Sequence, residues 1–404
     1  MKQVAAKNKV MEEGKPFYNT TIPTDWNVST VGEAFEICNN LRFPISEEER
    51  KKIQGPFPYY GPTRIQDYIN NYRIEGKYVL IGEDGDHFLK WKELPMTLLV
   101  EGKFNVNNHA HVIKGSNNLT EWFFYYFNHK ELTPYLTRQG AGRYKLTKQS
   151  LEKIPIPLPD FEEQKSITAI LKSCDVNIEV VEQLITQKVL RKKWLMQQLL
   201  TGKKRLKGFS GEWNKCNASD FLSQRNEQAP NNGNIPLFSL TIENGVTEKS
   251  DRYEREFLVK DKSIKNYKIV YPNDMVFNPA NLRWGAIAKH SRTFKVLLSP
   301  IYEVLTVKHG YDINFISYLV SSPRQIAYYA SILEGTLIER MAVKVEPFLA
   351  TNYEIPEIEE QIAIAQVLQA ADKEISLLKL KAEKLKEKKK GLMQQLLTGK
   401  IRVK

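Results

Sequence analysis

The feature that most constrains this sequence is an internal duplication. The nine letters LMQQLLTGK occupy residues 195–203 and return at 392–400, an offset of 197. Extended at the same offset, 162–207 and 359–404 share 20 identities in 46 ungapped positions. Unrelated sequences would share only about two or three, so the chain contains one segment twice.

Apolar residues in both copies have the spacing of a coiled coil. They alternate steps of four and three residues, which keeps one helical stripe against a partner helix. The predicted seam consists of Ile167, Leu171, Ile178, Val181, Leu195 and Leu199 in the first copy, and Ile364, Leu368, Ile375, Leu378, Leu392 and Leu396 in the second. Two unrelated core helices are the simpler alternative, but the matching phase of the copies favours mutual pairing.

Both predicted helices carry start and stop signals. Prolines and carboxylates precede them in PIPLPDFEEQ and EIPEIEEQ, and Gly202 and Gly399 follow as candidate left-handed C-caps. Only KKRLKGF separates the first helix from the next globular segment, which places that segment at the far end of the helix. The second helix is therefore predicted to return antiparallel to the first.

The fold class predicted is α+β, with two mixed α/β domains joined by two long helices and related by a pseudo-twofold repeat. Both globular segments open alike, with TDWNVSTVGEAF and GEWNKCNASDFL, and continue as short β-type runs broken by turns. The predicted segments are a flexible N-terminal extension (1–16), a first domain (17–158), a first spacer helix (159–204), a second domain (205–355) and a second spacer helix (356–404).

Charge and composition restrict the class of partner. The formal net charge of +12 favours a polyanion, with nucleic acid first. The three cysteines are far apart, so neither a disulfide framework nor a zinc site is indicated. Since no run approaches the roughly 18 apolar residues of a membrane helix, and no signal peptide is visible, a cytoplasmic protein is expected.

Motifs that suggest catalysis are incomplete. Asp160 and Glu163 in PDFEEQK resemble a PD…ExK nuclease signature, but both fall in one helix start, where carboxylates serve as caps. FNPANL lacks the second proline and the aromatic residue of an amino-methyltransferase loop. His109 and His111 lack a third metal ligand. The chain is therefore predicted to be non-catalytic, with no cofactor or metal site of its own.

Loops that mix aromatic, amide and basic side chains occur in both globular segments. Arginine can bind guanine with two hydrogen bonds, asparagine can bind adenine, and lysine neutralises phosphate. The predicted DNA-binding residues are Tyr59, Tyr60, Arg64, Arg143, Lys145, Asn281, Arg283 and Arg340. An ordinary solvated turn is an equally good explanation for each loop alone, and it is their presence in both segments that favours DNA.

The whole arrangement resembles the specificity subunit of type I restriction-modification systems. The resemblance rests on the duplicated IPIPLPDFEEQ/EIPEIEEQ entries, the duplicated LMQQLLTGK exits and the succession PYYG…DYI…KYVLIGEDG…VNNHAHV…KL. It implies that each globular domain is a target-recognition domain for one half of a bipartite site in double-stranded DNA. The helices would set the spacer.

The resemblance also implies partners. Two methyltransferase subunits would dock on the repeated surfaces, and two restriction subunits could join them, carrying S-adenosylmethionine, ATP and Mg²⁺. The alternatives are the recognition subunit of a type IIB-like system, where one partner chain both methylates and cleaves, and a non-catalytic coiled-coil scaffold.

Overall fold

The computed structural model describes residues 9–10, 14–18, 20–139, 142–248, 266–335 and 341–403. Two compact units are present. The first comprises Met1–Glu182 with Leu380–Lys404, and the second comprises Gln183–Lys379. The long helices α5 (Phe161–Leu199) and α10 (Ile358–Leu396) each begin in one unit and end in the other.

The first unit is built on a six-stranded sheet in the order β5-β10-β8-β9-β6-β7, antiparallel except between β6 and β9. Its strands are β1 (Lys9–Val10), β2 (Gly14–Phe17), β3 (Thr20–Pro23), β4 (Asn27–Thr30), β5 (Phe35–Ile37), β6 (Gln54–Tyr60), β7 (Ile65–Ile69), β8 (Ile74–Gly82), β9 (Thr97–Val106), β10 (Ala110–Gly115), β11 (Thr137–Gln139), β12 (Arg143–Lys145), β13 (Pro155–Leu158) and β25 (Ile401–Arg402). Its short helices are α1 (Val31–Ala34), α2 (Glu47–Lys52), α3 (Thr120–Phe127) and α4 (Lys148–Glu152).

The second unit has a four-stranded sheet, β15-β23-β20-β21, and a three-stranded sheet, β16-β19-β22. Its strands are β14 (Asn214–Asn217), β15 (Leu222–Gln224), β16 (Gln228–Pro230), β17 (Phe238–Thr241), β18 (Gly245–Glu248), β19 (Asn266–Val270), β20 (Met275–Phe277), β21 (Ile287–Lys289), β22 (Val296–Leu298), β23 (Glu303–Val307) and β24 (Asn352–Ile355). Its short helices are α6 (Ala218–Phe221), α7 (Ile313–Val320), α8 (Pro323–Tyr329) and α9 (Val345–Leu349).

The frame next to the long helices repeats between the units although the sheets differ. Strand β4 pairs antiparallel with β13 in the first unit, and β14 pairs with β24 in the same register in the second. Each first strand leads into a one-turn helix closed by a capping box, through Thr30 and Glu33 or through Asn217 and Asp220. The duplication predicted from the sequence is therefore visible in three dimensions.

Within each unit the two long helices pack antiparallel. In the first unit Asp175 binds Lys389 and Glu182 binds Lys386, so the residue number falls on α10 as it rises on α5. In the second unit Lys188 binds Glu374 and Lys192 binds Asp372, in the same sense. The predicted fold class, with an antiparallel helix pair, is confirmed.

The seam residues lie on the covered side of both helices. Ile178, Leu195, Leu378 and Leu392 are half-buried, and the other eight are buried: Ile167, Leu171, Val181, Leu199, Ile364, Leu368, Ile375 and Leu396. The stretch between Val181 and Leu195 is polar in sequence but keeps the seam spacing. Lys188 and Lys192 occupy seam positions there, and both are ion-paired with the other long helix.

The ends of the helices follow the sequence signals. A carboxylate oxygen of Asp160 accepts a hydrogen bond from the Glu163 backbone N–H at 2.8 Å and so caps α5. Gly202 and Gly399 adopt φ values of 67° and 68°, the left-handed conformation predicted for both.

The N-terminal extension differs from the expected flexible segment 1–16. Strand β1 pairs with β25, and β2 pairs with β3 in a hairpin. Phe17, at the end of β2, is buried in the apolar cluster of the first unit. The described part of the extension therefore belongs to the fold.

The two C-cap glycines allow a matched prediction. Alanine at either position would be held in a left-handed conformation, at a cost of roughly 1–2 kcal/mol. At Gly399 the new Cβ would also lie 2.4 Å from the Pro23 ring, whereas at Gly202 the nearest atom, in Trp213, is 3.5 Å away. We expect Gly399→Ala to lower the Tm of the full chain more than Gly202→Ala in scanning calorimetry. Equal losses would contradict this placement of the hairpin.

Candidate nucleic-acid interface and the repeated helix junction

A buried ion pair joins the start of α5 to strand β25 in the first unit. The Arg402 guanidinium donates two hydrogen bonds to the Glu163 carboxylate, at 2.7 and 2.8 Å, and two to Asp25, both at 2.8 Å. The indole N–H of Trp26 donates to Glu163 at 3.0 Å. The hydrogen bonds to Glu163 raise the pKa of Arg402 above its ordinary value. The junction therefore ties three distant chain segments together.

The second unit repeats this junction at the offset of 197. Arg205 donates two hydrogen bonds to the Glu360 carboxylate, both at 2.6 Å, and a third to the Gly211 carbonyl at 2.7 Å. Its guanidinium lies 5.8 Å from the Trp213 ring. The Trp213 indole nitrogen is buried without a hydrogen-bond partner among the described residues, unlike Trp26.

A buried glutamine next to each glutamate holds the adjoining domain helix. The side-chain carbonyl of Gln164 accepts from the Leu119 N–H at 3.0 Å, just before α3. The side-chain carbonyl of Gln361 accepts from the Asp312 N–H, also at 3.0 Å, just before α7. The side-chain amide of Gln164 donates to the Pro159 carbonyl, and that of Gln361 donates to the Pro356 carbonyl.

A second repeated contact lies further along each long helix. In the first unit the Asp175 carboxylate accepts from the Lys389 ammonium, and from the Tyr125 hydroxyl at 2.9 Å. Burial, followed by the charge of Asp175, raises the pKa of Tyr125.

The second unit has the same three-residue contact. The Asp372 carboxylate accepts from Lys192 and from the Tyr318 hydroxyl, each at 2.6 Å. Each aspartate therefore links both long helices to a helix of the globular domain.

These contacts account for five of the polar identities between the two copies. The sequence contained the signal, since the glutamate, glutamine, aspartate, lysine and arginine are identical at matching positions. The apolar spacing alone does not identify these residues. The matched pairs are Glu163 and Glu360, Gln164 and Gln361, Asp175 and Asp372, Lys192 and Lys389, and Arg205 and Arg402.

Two predicted basic loops of the first unit lie next to residues 82–85. The carbonyl oxygen of Pro62 is 3.3 Å from the position that a Cβ would take at Gly82, which places the loop containing Arg64 there. Asp84 forms a β-bridge with Lys145. Arg64 and Arg143 are exposed, while Lys145 is half-buried and ion-paired with Glu83 at 3.3 Å.

A polar network under this surface orients the loops. Glu83 binds both Arg42 and Lys145. Burial acts to raise the pKa of Glu83, but the hydrogen bond from Arg42 and the surrounding positive charge outweigh it and lower the pKa. His111 Nε2 lies 2.7 Å from the Leu146 carbonyl and therefore donates, while Nδ1 accepts from Asn39. Burial lowers the pKa of His111, in keeping with this neutral tautomer.

Neither of the two predicted tyrosines is fully exposed. Tyr59 is fully buried, and its hydroxyl donates to the Phe43 carbonyl at 2.8 Å and accepts from the Ile45 N–H. Tyr60 is half-buried against Phe104, with ring centroids 5.8 Å apart. Their predicted contact with DNA finds no support in this placement, because their side chains pack within the first unit.

In the second unit Asn281 and Arg283 flank the start of a 3₁₀ turn, Leu282–Trp284. The Asn281 backbone carbonyl accepts from the N–H groups of Trp284 and Ala286. The Arg283 guanidinium lies 4.0 Å from the Trp284 ring, which is 57 % exposed. Trp284 was missed as a candidate because its exposure depends on the turn. Arg340 lies outside the described residues.

The carboxylates of the PD…ExK-like fragment have structural partners. Asp160 caps α5, and Glu163 is bound by Arg402 and Trp26. Within the described part of the chain no three His, Cys, Asp or Glu side chains converge as a metal site would require. Every helix described there falls short of the length or the apolarity that a bilayer crossing demands.

The two arginine junctions predict unequal sensitivity to charge removal. Glu163→Gln leaves Arg402 with Asp25, whereas Glu360→Gln leaves Arg205 with only a backbone carbonyl. We expect Glu360→Gln to destabilise its unit by on the order of 2–3 kcal/mol and Glu163→Gln by less. Chemical denaturation, monitored by hydrogen exchange at each junction, measures the loss of unfolding free energy for both substitutions. A larger loss for Glu163→Gln would contradict this interpretation of the contacts.

Comparison with known proteins shows what this architecture is similar to. Residues 23–189 match the model of the type I restriction modification DNA specificity domain. The chain is 41 % identical over 140 residues to a putative type I restriction enzyme specificity subunit of Haemophilus influenzae, a match that covers 34 % of each chain. It is 23 % identical to the MjaVIII specificity subunit of Methanocaldococcus jannaschii, a match that covers 97 % of each chain.

The fold has a solved counterpart over nearly its full length. The crystal structure of the type I restriction-modification S subunit from M. genitalium matches with a TM-score of 0.59 at 11 % identity, covering 95 % of this chain and 98 % of that one. Together, the domain match over residues 23–189, the end-to-end match to a specificity subunit and the shared fold support a type I restriction-modification specificity subunit.

Proposed function

We propose that this chain is the non-catalytic DNA-recognition subunit of a type I restriction-modification complex. Each unit would recognise one half of a bipartite site in double-stranded DNA, and α5 and α10 would set the spacer. The observation that carries this proposal is that the same helix junction occurs in both units, although their sheets differ. A constant frame with different outer loops suits two half-sites of different sequence.

The first unit offers a specific surface for DNA. Arg64 and Arg143 are exposed on the two loops next to residues 82–85, where they would contact phosphate or guanine. In the second unit the exposed Trp284, with Arg283 stacked on it, supplies an aromatic and a cationic group together. The net charge of +12 supports a polyanionic partner.

The helices support the spacer function by their length. Each contains 39 residues, which corresponds to about 58 Å at a rise of 1.5 Å per residue. The repeated LMQQLLTGK ends would receive two methyltransferase subunits, and two restriction subunits could then join. S-adenosylmethionine, ATP and Mg²⁺ would be bound by these partners, with double-stranded DNA as the shared ligand.

Modified-base sequencing tests this function. DNA from cells carrying the gene and its neighbours is compared with DNA from a deletion of this gene alone. We expect methylation to disappear from one motif consisting of two short blocks around a fixed gap. Unchanged methylation with the neighbouring methyltransferase expressed would contradict the proposal and favour a scaffold.

The DNA surface of the first unit gives a residue-level prediction. In the reconstituted complex, Arg143→Ala and Arg64→Ala should each weaken binding to the identified motif by about tenfold. Each substitution removes an exposed cation from the proposed DNA surface at residues 82–85. Lys172→Ala, which removes an exposed cation from α5, is the matched control and should change affinity little. Equal effects of all three substitutions in a salt titration would exclude a specific surface at 82–85.

A further inference from the structure

The second unit contains an open groove beside its LMQQLLTGK segment, with a volume of about 860 Å³. Its apolar lining includes Leu200, Leu319 and Tyr353, which are buried, and Trp213, which is half-buried. All the lining residues belong to the second unit. A groove of this size, lined by both apolar and polar side chains and lying next to a repeated segment, is a candidate docking site.

The corresponding place in the first unit is covered by the chain itself. The repeat matches Leu200 with Leu397, and the paired strands match Trp213 with Trp26. The tyrosines that bind Asp175 and Asp372 also match, so the residues that follow them, Tyr126 and Leu319, correspond to each other. Strands β2 and β3 bring Phe17 into the same buried cluster as these residues.

The contacts of Tyr18, which follows Phe17 in the chain, show where the hairpin lies. The Lys130 ammonium is 5.8 Å from the Tyr18 ring and 5.1 Å from the Tyr126 ring, and so lies between the hairpin and the groove wall. Trp26 is 1 % exposed, whereas its counterpart Trp213 is half-buried. The molecule therefore contains one filled and one open version of the same groove.

The charge on the open rim indicates what would fill it. Lys203, Lys215 and Arg324 are exposed there with only one carboxylate, Glu354, and none of the four is ion-paired with a described residue. The matching positions in the first unit are Lys400, Val28, Glu131 and Pro157, and the lining residue Pro323 matches Lys130, so the first unit has two cations and one anion there. The rim of the open groove thus has a net charge of +2 (three cations minus one anion), and the matching positions of the filled groove have a net charge of +1 (two cations minus one anion).

We propose that the open groove binds an extended segment of the methyltransferase partner in which an aromatic side chain is flanked by acidic residues. The aromatic group would take the place that Phe17 takes in the first unit, and the carboxylates would pair with the rim cations. This inference rests on the proposed function, which supplies the partner. The N-terminal segment of a second copy fits less well, because residues 1–18 contain four lysines and two glutamates.

A matched pair of substitutions tests the proposal in the full chain with the purified methyltransferase subunit. Lys203→Glu and Lys400→Glu change the same residue in two identical nine-residue segments, one beside the open groove and one beside the filled groove. We expect Lys203→Glu to weaken one methyltransferase-binding step by roughly tenfold, so that native mass spectrometry shows complexes with one methyltransferase in place of two. Lys400→Glu should retain two.

Photocrosslinking identifies the occupant. Asn352, an exposed residue of the groove, is replaced by p-benzoylphenylalanine, and the crosslinked peptide is sequenced. A crosslink to an aromatic, acidic segment of the methyltransferase is expected. A crosslink to residues 1–18 of a second copy would overturn the proposal, as would equal effects of the two lysine substitutions. If the unaltered chain binds no methyltransferase at all, it is the proposed function that fails.

Discussion

The buried carboxylate at the start of each long helix is the interaction on which the rest of the structure depends. Glu163 and Glu360 are each bound by an arginine far away in the sequence, 239 and 155 residues distant. Leaving either carboxylate buried and unpaired would cost several kcal/mol, so each helix start is fixed relative to the strand and the tryptophan beside it. The neighbouring glutamines and the Asp–Lys–Tyr contacts extend this constraint from the helix start into the domain helix and along the seam.

This constraint separates what is repeated from what differs. The glutamate, glutamine, aspartate, lysine and arginine that hold each domain on the long helices are identical in the two copies, whereas the first unit has a six-stranded sheet and the second has a four-stranded and a three-stranded sheet. Loops at a distance from the junction can therefore differ between the units without disturbing the frame. The N-terminal hairpin breaks the equivalence at one point, since it fills a groove in the first unit that stays open in the second.

Sequence periodicity predicted the parts of the fold that depend on local rules. The seam, the antiparallel pairing and the left-handed glycines follow from heptad spacing, chain connectivity and C-cap chemistry. Lys188 and Lys192 were not expected on the seam, because a charged side chain there depends on partners from the other helix. The burial of Tyr59 and the exposure of Trp284 depend on tertiary packing, which no local pattern encodes. The predicted roles of Arg64, Arg143, Lys145, Asn281, Arg283 and Arg340 in DNA binding stay predictions.

The most direct test of the central claim, that one repeated frame carries two independent recognition units, is a domain replacement. Residues 218–351, which lie between the paired strands β14 and β24, would be replaced by the corresponding segment of another specificity subunit, and the methylated motif would be sequenced. The account predicts that one half of the motif changes while the other half and the gap length stay the same. A motif that changes in both halves, or an unchanged motif, would contradict it.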